Sequence, residues 1–89
     1  MYESTTDERS QHQVNALPRE ALAPFAEVRA AIELAPWNGQ PYHRSAPDSP
    51  MRAWTFGPNG EGDIVYLILE DQRRVDLLVV SWLAFGTRE

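Results

Sequence analysis

The stretch that decides the fold is MRAWTFGPNGEGDIVYLILEDQRRVDLLVVSWL, residues 51–83. It holds three runs rich in aromatic, β-branched and aliphatic residues, Met51–Phe56, Asp63–Glu70 and Arg73–Leu83. Such runs, bounded by turn-forming residues, read as strands. Asn59-Gly60 marks the first connection, because Asn-Gly suits the left-handed backbone of a two-residue hairpin. Asp71-Gln72 marks the second as a tight turn. Three consecutive antiparallel strands follow.

Side chains alternate across a strand, so the register sets the two faces. With turns on Asn59-Gly60 and Asp71-Gln72, one face gathers Met51, Ala53, Ile64, Tyr66, Ile68, Val75, Leu77 and Val79. That face is almost wholly apolar and is expected to meet the helices. The other gathers Arg52, Trp54, Phe56, Asp63, Val65, Leu67, Leu69, Arg74, Asp76, Leu78, Val80 and Trp82. An open face with this many aromatics is expected either to pack under the long loop and the C-terminal tail or to bind something.

Upstream, Asp7 is placed to cap a short helix running to Asn15 or Ala16, with Glu8 favourable in its first turn. Pro18 suits the start of a second helix. Leu22, Phe25, Val28, Ile32 and Ala35 recur at helical steps, and this stripe should cover the apolar sheet face. Pro24 is expected to kink or restart that helix and Pro36 to end it. The two helices should form a hairpin. Tyr2–Thr6 suits a short polar edge strand or a frayed end. Residues 36–50 hold four of the seven prolines. They read as a stiff, irregular loop, and long loops often carry function.

The chain has 89 residues, which points to one domain over 1–89 with a thin core. A hydrophobic fraction of 43% argues against wholesale disorder. No cysteine is present, which excludes disulfides and thiolate metal sites. With two histidines, no metal and no cofactor are expected. No signal peptide and no apolar run of membrane-spanning length is visible, so a soluble cytoplasmic protein is expected, without membrane contact. The net charge of −5, with every side-chain cation an arginine, is a poor footprint for nucleic acid.

The order strand, two helices, three antiparallel strands resembles the RelE/ParE superfamily of bacterial type II toxins. Gln13–Pro18, Ala35-Pro36-Trp37, Met51-Arg52, Ile64-Val65-Tyr66 and Val75–Ser81 carry the resemblance, and Tyr2–Thr6 matches the family's first strand. The resemblance implies an α+β fold: a short N-terminal strand and a helical hairpin packed on an antiparallel sheet whose core is the three C-terminal strands. It also implies a toxin-like component of a toxin–antitoxin system, with a cognate antitoxin as partner.

In that family, ribosome-dependent mRNA endoribonucleases carry Lys, Arg and a Tyr or His on the open sheet face. Cations there stabilise charge growing on the phosphate while another group moves protons. In this chain Arg52 matches one such cation, Trp54 stands where a second is common, and Asp63 reverses a third. Tyr66 matches the tyrosine. After Ser81 the family's basic pair and terminal Tyr are replaced by Trp82-Leu83-Ala84-Phe85-Gly86, and Arg88 alone is basic.

The catalytic candidates, if the chain is a ribonuclease at all, are Arg52, His43 and Arg44. The binding-face candidates are Trp54, Phe56, Asp63, Arg74 and Trp82. A plain solvated loop histidine is the favoured account of His43, and His43 with Arg44 is the remaining acid/base and phosphate-contact pair. Arg73-Arg74 reads as an ion-pair cluster with Glu70, Asp71 and Asp76, and Arg52 is placed to pair with Asp76 across the open face. Two functional readings stay open. One is a toxin acting on ribosome-bound mRNA with a degraded catalytic set. The other is a non-catalytic module of the same fold that binds a protein, DNA gyrase included, or a second copy of itself as a homodimer.

Overall fold

A computed structural model of the chain describes residues 1–83. The element order is β1 (Glu3–Thr6), α1 (Glu8–Asn15), α2 (Arg19–Leu34), β2 (Gln40–Pro41), β3 (Met51–Phe56), β4 (Gly62–Leu69) and β5 (Arg74–Trp82). The strands form one five-stranded sheet in the order β1-β5-β4-β3-β2. β1 runs parallel to β5, and the other pairs are antiparallel. The expected α+β architecture is present, with β3-β4-β5 as the heart of the sheet.

α1 starts where Asp7 was expected to cap it. The Asp7 carboxylate accepts the Ser10 N–H at 2.8 Å, and the Ser10 hydroxyl accepts the Asp7 N–H at 3.0 Å. This reciprocal pair satisfies two otherwise orphaned donors of the first turn. The Ser10 bonds hold the Asp7 carboxyl below its ordinary range.

α2 runs unbroken through Pro24, which sits in its second turn and forfeits one hydrogen bond. The buried face of α2 is Ala21, Phe25, Val28 and Ile32, at steps of four, three and four. Leu22, expected within that stripe, lies one helical step off it and is exposed. α2 is tied to β1 by Arg29, whose Nε donates to the Ser4 hydroxyl at 2.8 Å; that hydroxyl donates in turn to Glu33.

The sheet register departs from the sequence expectation at two points. The first hairpin closes on Phe56 paired with Gly62, leaving a five-residue loop over Gly57–Glu61 in place of a two-residue turn. Gly57 and Gly60 take the left-handed backbone there, at φ 98° and 74°. Thr55 therefore pairs with Asp63 and not with Ile64. A one-residue slip exchanges the faces of a whole strand. Arg52, Trp54 and Phe56 consequently join the helix side, and Met51 and Ala53 leave it.

The second departure is a bulge in β5. Val65 pairs with Val79 but Tyr66 pairs with Leu77, so Leu78 is an extra residue. Beyond the bulge Val80 is buried and Trp82 packs against the core, while Val79 stays only half-buried. The second turn matches its expected register, with Leu69 opposite Arg74, and is closed by Arg73 in the left-handed region at φ 49°.

The core is Phe25, Val28 and Ile32 of α2 against Phe56, Ile64, Tyr66, Ile68, Val75, Leu77 and Val80 of the sheet, with Tyr2 at its margin. Val14 and Leu17 pack against it from the α1 side. Both helices therefore lie on one face of the sheet. The Phe25 and Phe56 rings meet edge-on at 6.0 Å, and Phe56 leans on Trp82 at 5.7 Å.

The register predicts an asymmetry between β3 residues on opposite faces. Phe56→Ala empties a core site and is expected to cost about 3–5 kcal/mol. Met51→Ala, on the face away from the helices, is expected to cost about 1 kcal/mol or less. Urea unfolding of both variants checks it, and equal losses would place Met51 in the core.

Candidate functional site

The 36–50 segment is more ordered by side chains than its composition suggests, and Arg52 is the reason. Its side chain is buried at 8% exposure. Nε donates to the Ser49 carbonyl at 3.0 Å, and the two terminal nitrogens donate to the Gly39 and Pro47 carbonyls at 3.1 and 2.8 Å. The Trp37 ring stacks 5.0 Å from the guanidinium carbon. The planar fork of donors is what lets one residue gather three separate carbonyls. Arg52, expected as a cation on the open face, thus lies on the opposite side and pins the loop. Its expected partner Asp76 lies on the open face.

Tyr66 is also held inside. Its hydroxyl donates to the Pro36 carbonyl at 2.6 Å, and burial pushes the phenol up to about 12. Gly39 makes room for it: a methyl group there would sit 2.0 Å from the Tyr66 oxygen. A buried phenol whose hydroxyl already donates to a backbone carbonyl is placed to serve the core and not a surface-bound substrate.

At the adjacent end of the sheet, Glu70 gathers three donors. Its carboxylate accepts from the Tyr2 hydroxyl at 2.6 Å, from the Trp37 indole at 2.9 Å and from Arg73 at 3.1 Å. Arg73 also stacks on the Tyr2 ring at 4.2 Å. The Tyr2 hydrogen bond, then those of Trp37 and Arg73, holds the Glu70 carboxyl below its ordinary value. The N-terminus, the turn after α2 and the β4–β5 turn meet on this one side chain.

His43 and Arg44 are exposed on the loop that leads into β3. His43 packs edge-on against Tyr42 at 4.8 Å. The loop folds back toward Arg52 on the helix side, through the Pro47 and Ser49 carbonyls.

The open face is set by the register as four rows across β1, β5, β4 and β3. They read Glu3, Arg74, Leu69; Thr5, Asp76, Leu67, Met51; Val79, Val65, Ala53; and Ser81, Asp63, Thr55. Its centre is aliphatic, with Met51, Ala53, Val65, Leu67, Leu69 and Val79 each half-buried. The rim is acidic, with Glu3, Asp63 and Asp76. Among the described residues of these strands Arg74 is the one cation on this face. It is spent on Asp76, 2.9 Å away, which also accepts the Thr5 hydroxyl at 2.7 Å. Burial works to raise the Asp76 pKa, but these two bonds outweigh it and hold the carboxyl low. Asp63 accepts the Thr55 hydroxyl at 2.9 Å.

The five expected binding-face residues are therefore divided. Asp63 and Arg74 lie on the open face, while Trp54, Phe56 and Trp82 lie on the helix side. The expected ion-pair cluster at the turn is present as Arg73–Glu70 and Arg74–Asp76. Sequence reasoning missed the structural role of Arg52, for which the prolines that precede it in the chain gave no signal. Ala84, Phe85, Gly86 and Arg88, which figured in the sequence reading, lie outside the described residues.

Two outcomes follow. Arg52→Met leaves three carbonyls without their donor and is expected to cost about 3 kcal/mol, with Arg52→Lys recovering only part, because an ammonium cannot span the fork. Urea midpoints measure both. Glu70 has a depressed carboxyl, so its contribution is present above its ordinary value of 4.5 and fades as pH falls through its lower folded value. Glu70→Gln is therefore expected to flatten the loss of stability on acidification below pH 4.5, read from melting temperature against pH.

No protein-family model matches the chain, and no curated protein matches it in sequence. Solved structures do. The isolated E. coli RelE toxin superposes with a TM-score of 0.76 at 11% identity, covering 97% of this chain and 88% of RelE. The RelBE2 toxin–antitoxin complex of Mycobacterium tuberculosis gives 0.71 at 20% identity, covering 91% and 96%. An E. coli RelE mutant in complex with an antitoxin RelBc peptide gives 0.73 at 14% identity, covering 93% and 84%. At these identities the likeness concerns the backbone. The chain has the RelE-like toxin fold.

Proposed function

We propose that this chain is the toxin-fold member of a toxin–antitoxin pair that acts through protein contact, without ribonuclease chemistry. The fold supports the first half of this reading, since RelE neighbours were solved in complex with antitoxins. The observation that carries the second half is the open sheet face. It is aliphatic at the centre and acidic at the rim, and its one described cation is neutralised by Asp76. A phosphodiester approaching it would meet Glu3 and Asp63, and among the described residues of these strands no unpaired cation offsets them. The developing charge of an RNA cleavage step needs cations placed for it in advance. A ribosomal protein surface or DNA gyrase is the class of target that such a face suits.

The ribonuclease reading retains one specific support. His43 and Arg44 are exposed, and among the described residues neither makes a side-chain hydrogen bond. They are the acid/base and phosphate-contact candidates of that reading. Arg52 is a poor third member, because its donors are already occupied.

The test is a translation reaction with purified chain, followed by primer extension on the mRNA, run beside a gyrase supercoiling assay and growth curves on induction. Slowed growth without mRNA cleavage is expected, with relief on co-expression of the product of an adjacent small reading frame. Discrete mRNA fragments that vanish in His43→Ala or Arg44→Ala would overturn the proposal. Unchanged growth, translation and supercoiling would leave no toxin and would overturn it from the other side.

A further inference from the structure

We infer that Asn59 is a site of spontaneous covalent modification, cyclising onto the Gly60 nitrogen and opening to aspartate and isoaspartate, while the fold spares Asn38, the other asparagine followed by glycine. The Gly60 backbone nitrogen, its proton lost to solvent base, attacks Asn59 Cγ. The new N–Cγ bond closes a cyclic imide, the Cγ–Nδ2 bond breaks, and Nδ2 leaves as ammonia with a proton from water. Water then opens the ring. Opening at Cγ gives aspartate at position 59; opening at the backbone carbonyl gives isoaspartate, with the chain running through the side-chain carbon. One water is consumed, one ammonia is released, and nothing is oxidised or reduced.

Glycine favours this step because no Cβ hinders the approach of its nitrogen. By sequence alone both asparagines should react; the structure separates them. Asn38 ends the helical turn Pro36–Asn38. Gly39 is buried, its carbonyl accepts Arg52 at 3.1 Å, and a methyl group on it would collide with the Tyr66 hydroxyl. The peptide between Asn38 and Gly39 must rotate before its nitrogen can meet Cγ. With Arg52 gripping the glycine and Tyr66 lying against it, that rotation is barred.

Asn59 and Gly60 are both exposed, in the Gly57–Glu61 loop. The nearest group that a methyl on Gly60 would meet is the Thr55 methyl, 3.5 Å away. The glycine N–H closes a turn at both sites, onto Gly57 at 3.2 Å and onto Pro36 at 3.3 Å, so that bond does not distinguish them. Among the described residues, Asn59 is held by the Glu61 carboxylate, which accepts its backbone N–H at 2.9 Å and its side-chain amide at 3.2 Å. Exposed loops open locally at little cost, and such an opening frees both reacting atoms.

The product acts on the turn that joins β3 to β4. The carboxylate formed at position 59 no longer donates to Glu61 and sets a like charge beside it. Isoaspartate also lengthens the backbone of the loop. The change is one-way and accumulates with the age of the chain.

The experiment incubates the full chain, folded and in urea, at neutral and mildly alkaline pH. Tryptic peptides 30–44 and 53–73 each hold one site. In the folded chain, peptide 53–73 is expected to gain the amide-to-carboxyl mass step, and to become a substrate for an isoaspartate-specific methyltransferase, at least about tenfold faster than peptide 30–44. In urea the two rates should converge. Asn59→Gln, whose longer side chain closes the ring far more slowly, should silence peptide 53–73. The modified fraction, separated by its extra negative charge, and Asn59→Asp should both unfold at a lower urea midpoint than the fresh chain. Adding Glu61→Gln to Asn59→Asp should recover part of that loss, because an amide then donates to the new carboxylate.

Equal rates at the two sites of the folded chain, faster change at Asn38, or no change at either would overturn the inference. So would a preference for peptide 53–73 that persists undiminished in urea, which would assign it to flanking residues and not to the fold. An unchanged midpoint in both the modified fraction and Asn59→Asp would overturn the loosened turn.

Discussion

A strand can be paired with its neighbour in two ways that differ by one residue, and the choice decides which half of its side chains is buried. In this protein that choice rests on the pairing of Thr55 with Asp63. It is enforced by the five-residue loop over 57–61. Both left-handed glycines lie in that loop, and the Glu61 side chain accepts the Asn59 N–H at 2.9 Å. Gly62 completes the constraint. A methyl group there would fall 2.4 Å from the Phe56 ring, so the close pairing of strand and ring needs a glycine. Once Phe56 is inside, Trp54 and Arg52 must follow it, and Met51, Ala53 and Thr55 must face the other way.

Two consequences run in opposite directions from that pairing. On the helix side, an arginine arrives in the interior and has to be satisfied there. The proline-rich segment supplies three carbonyls, and Trp37 supplies a ring. A charge that would be costly alone becomes the anchor that orders residues 37–49. On the open side, the same pairing lines up Met51 and Ala53 with Leu67, Val65 and Val79. A surface that a nuclease would fill with cations is left aliphatic. The buried arginine and the apolar face are two results of one register.

Much of this was legible from the residues, for identifiable reasons. The Asp7 cap, the stripe through Phe25, Val28 and Ile32, and the alternation of Ile64, Tyr66 and Ile68 are local patterns, and local patterns survive tertiary packing. The β4–β5 turn was legible because Asp71-Gln72 leaves little freedom in register. The β3 register was not, because Asn59-Gly60 is a strong two-residue turn signal that a longer loop with Gly57 and Gly62 overrides. The bulge at Leu78 was not legible either, since Leu77-Leu78-Val79-Val80 is uniformly apolar and offers no alternation to break. Both failures misplaced the aromatics. Trp54, Phe56 and Trp82 look like a binding surface when read one residue out of step, but Phe56 belongs to the core and the two tryptophans pack against it.

The central claim is that the face formed by β5, β4 and β3 away from the helices is an aliphatic surface with an acidic rim, and that neither helix covers it. Its most direct measurement is methyl NMR of the full chain with a soluble, uncharged paramagnetic probe. Val65, Leu67, Leu69 and Val79 are predicted to be strongly broadened, while Ile64, Ile68, Val75 and Leu77 stay sharp. Protection of both sets, or the reverse order, would contradict the account.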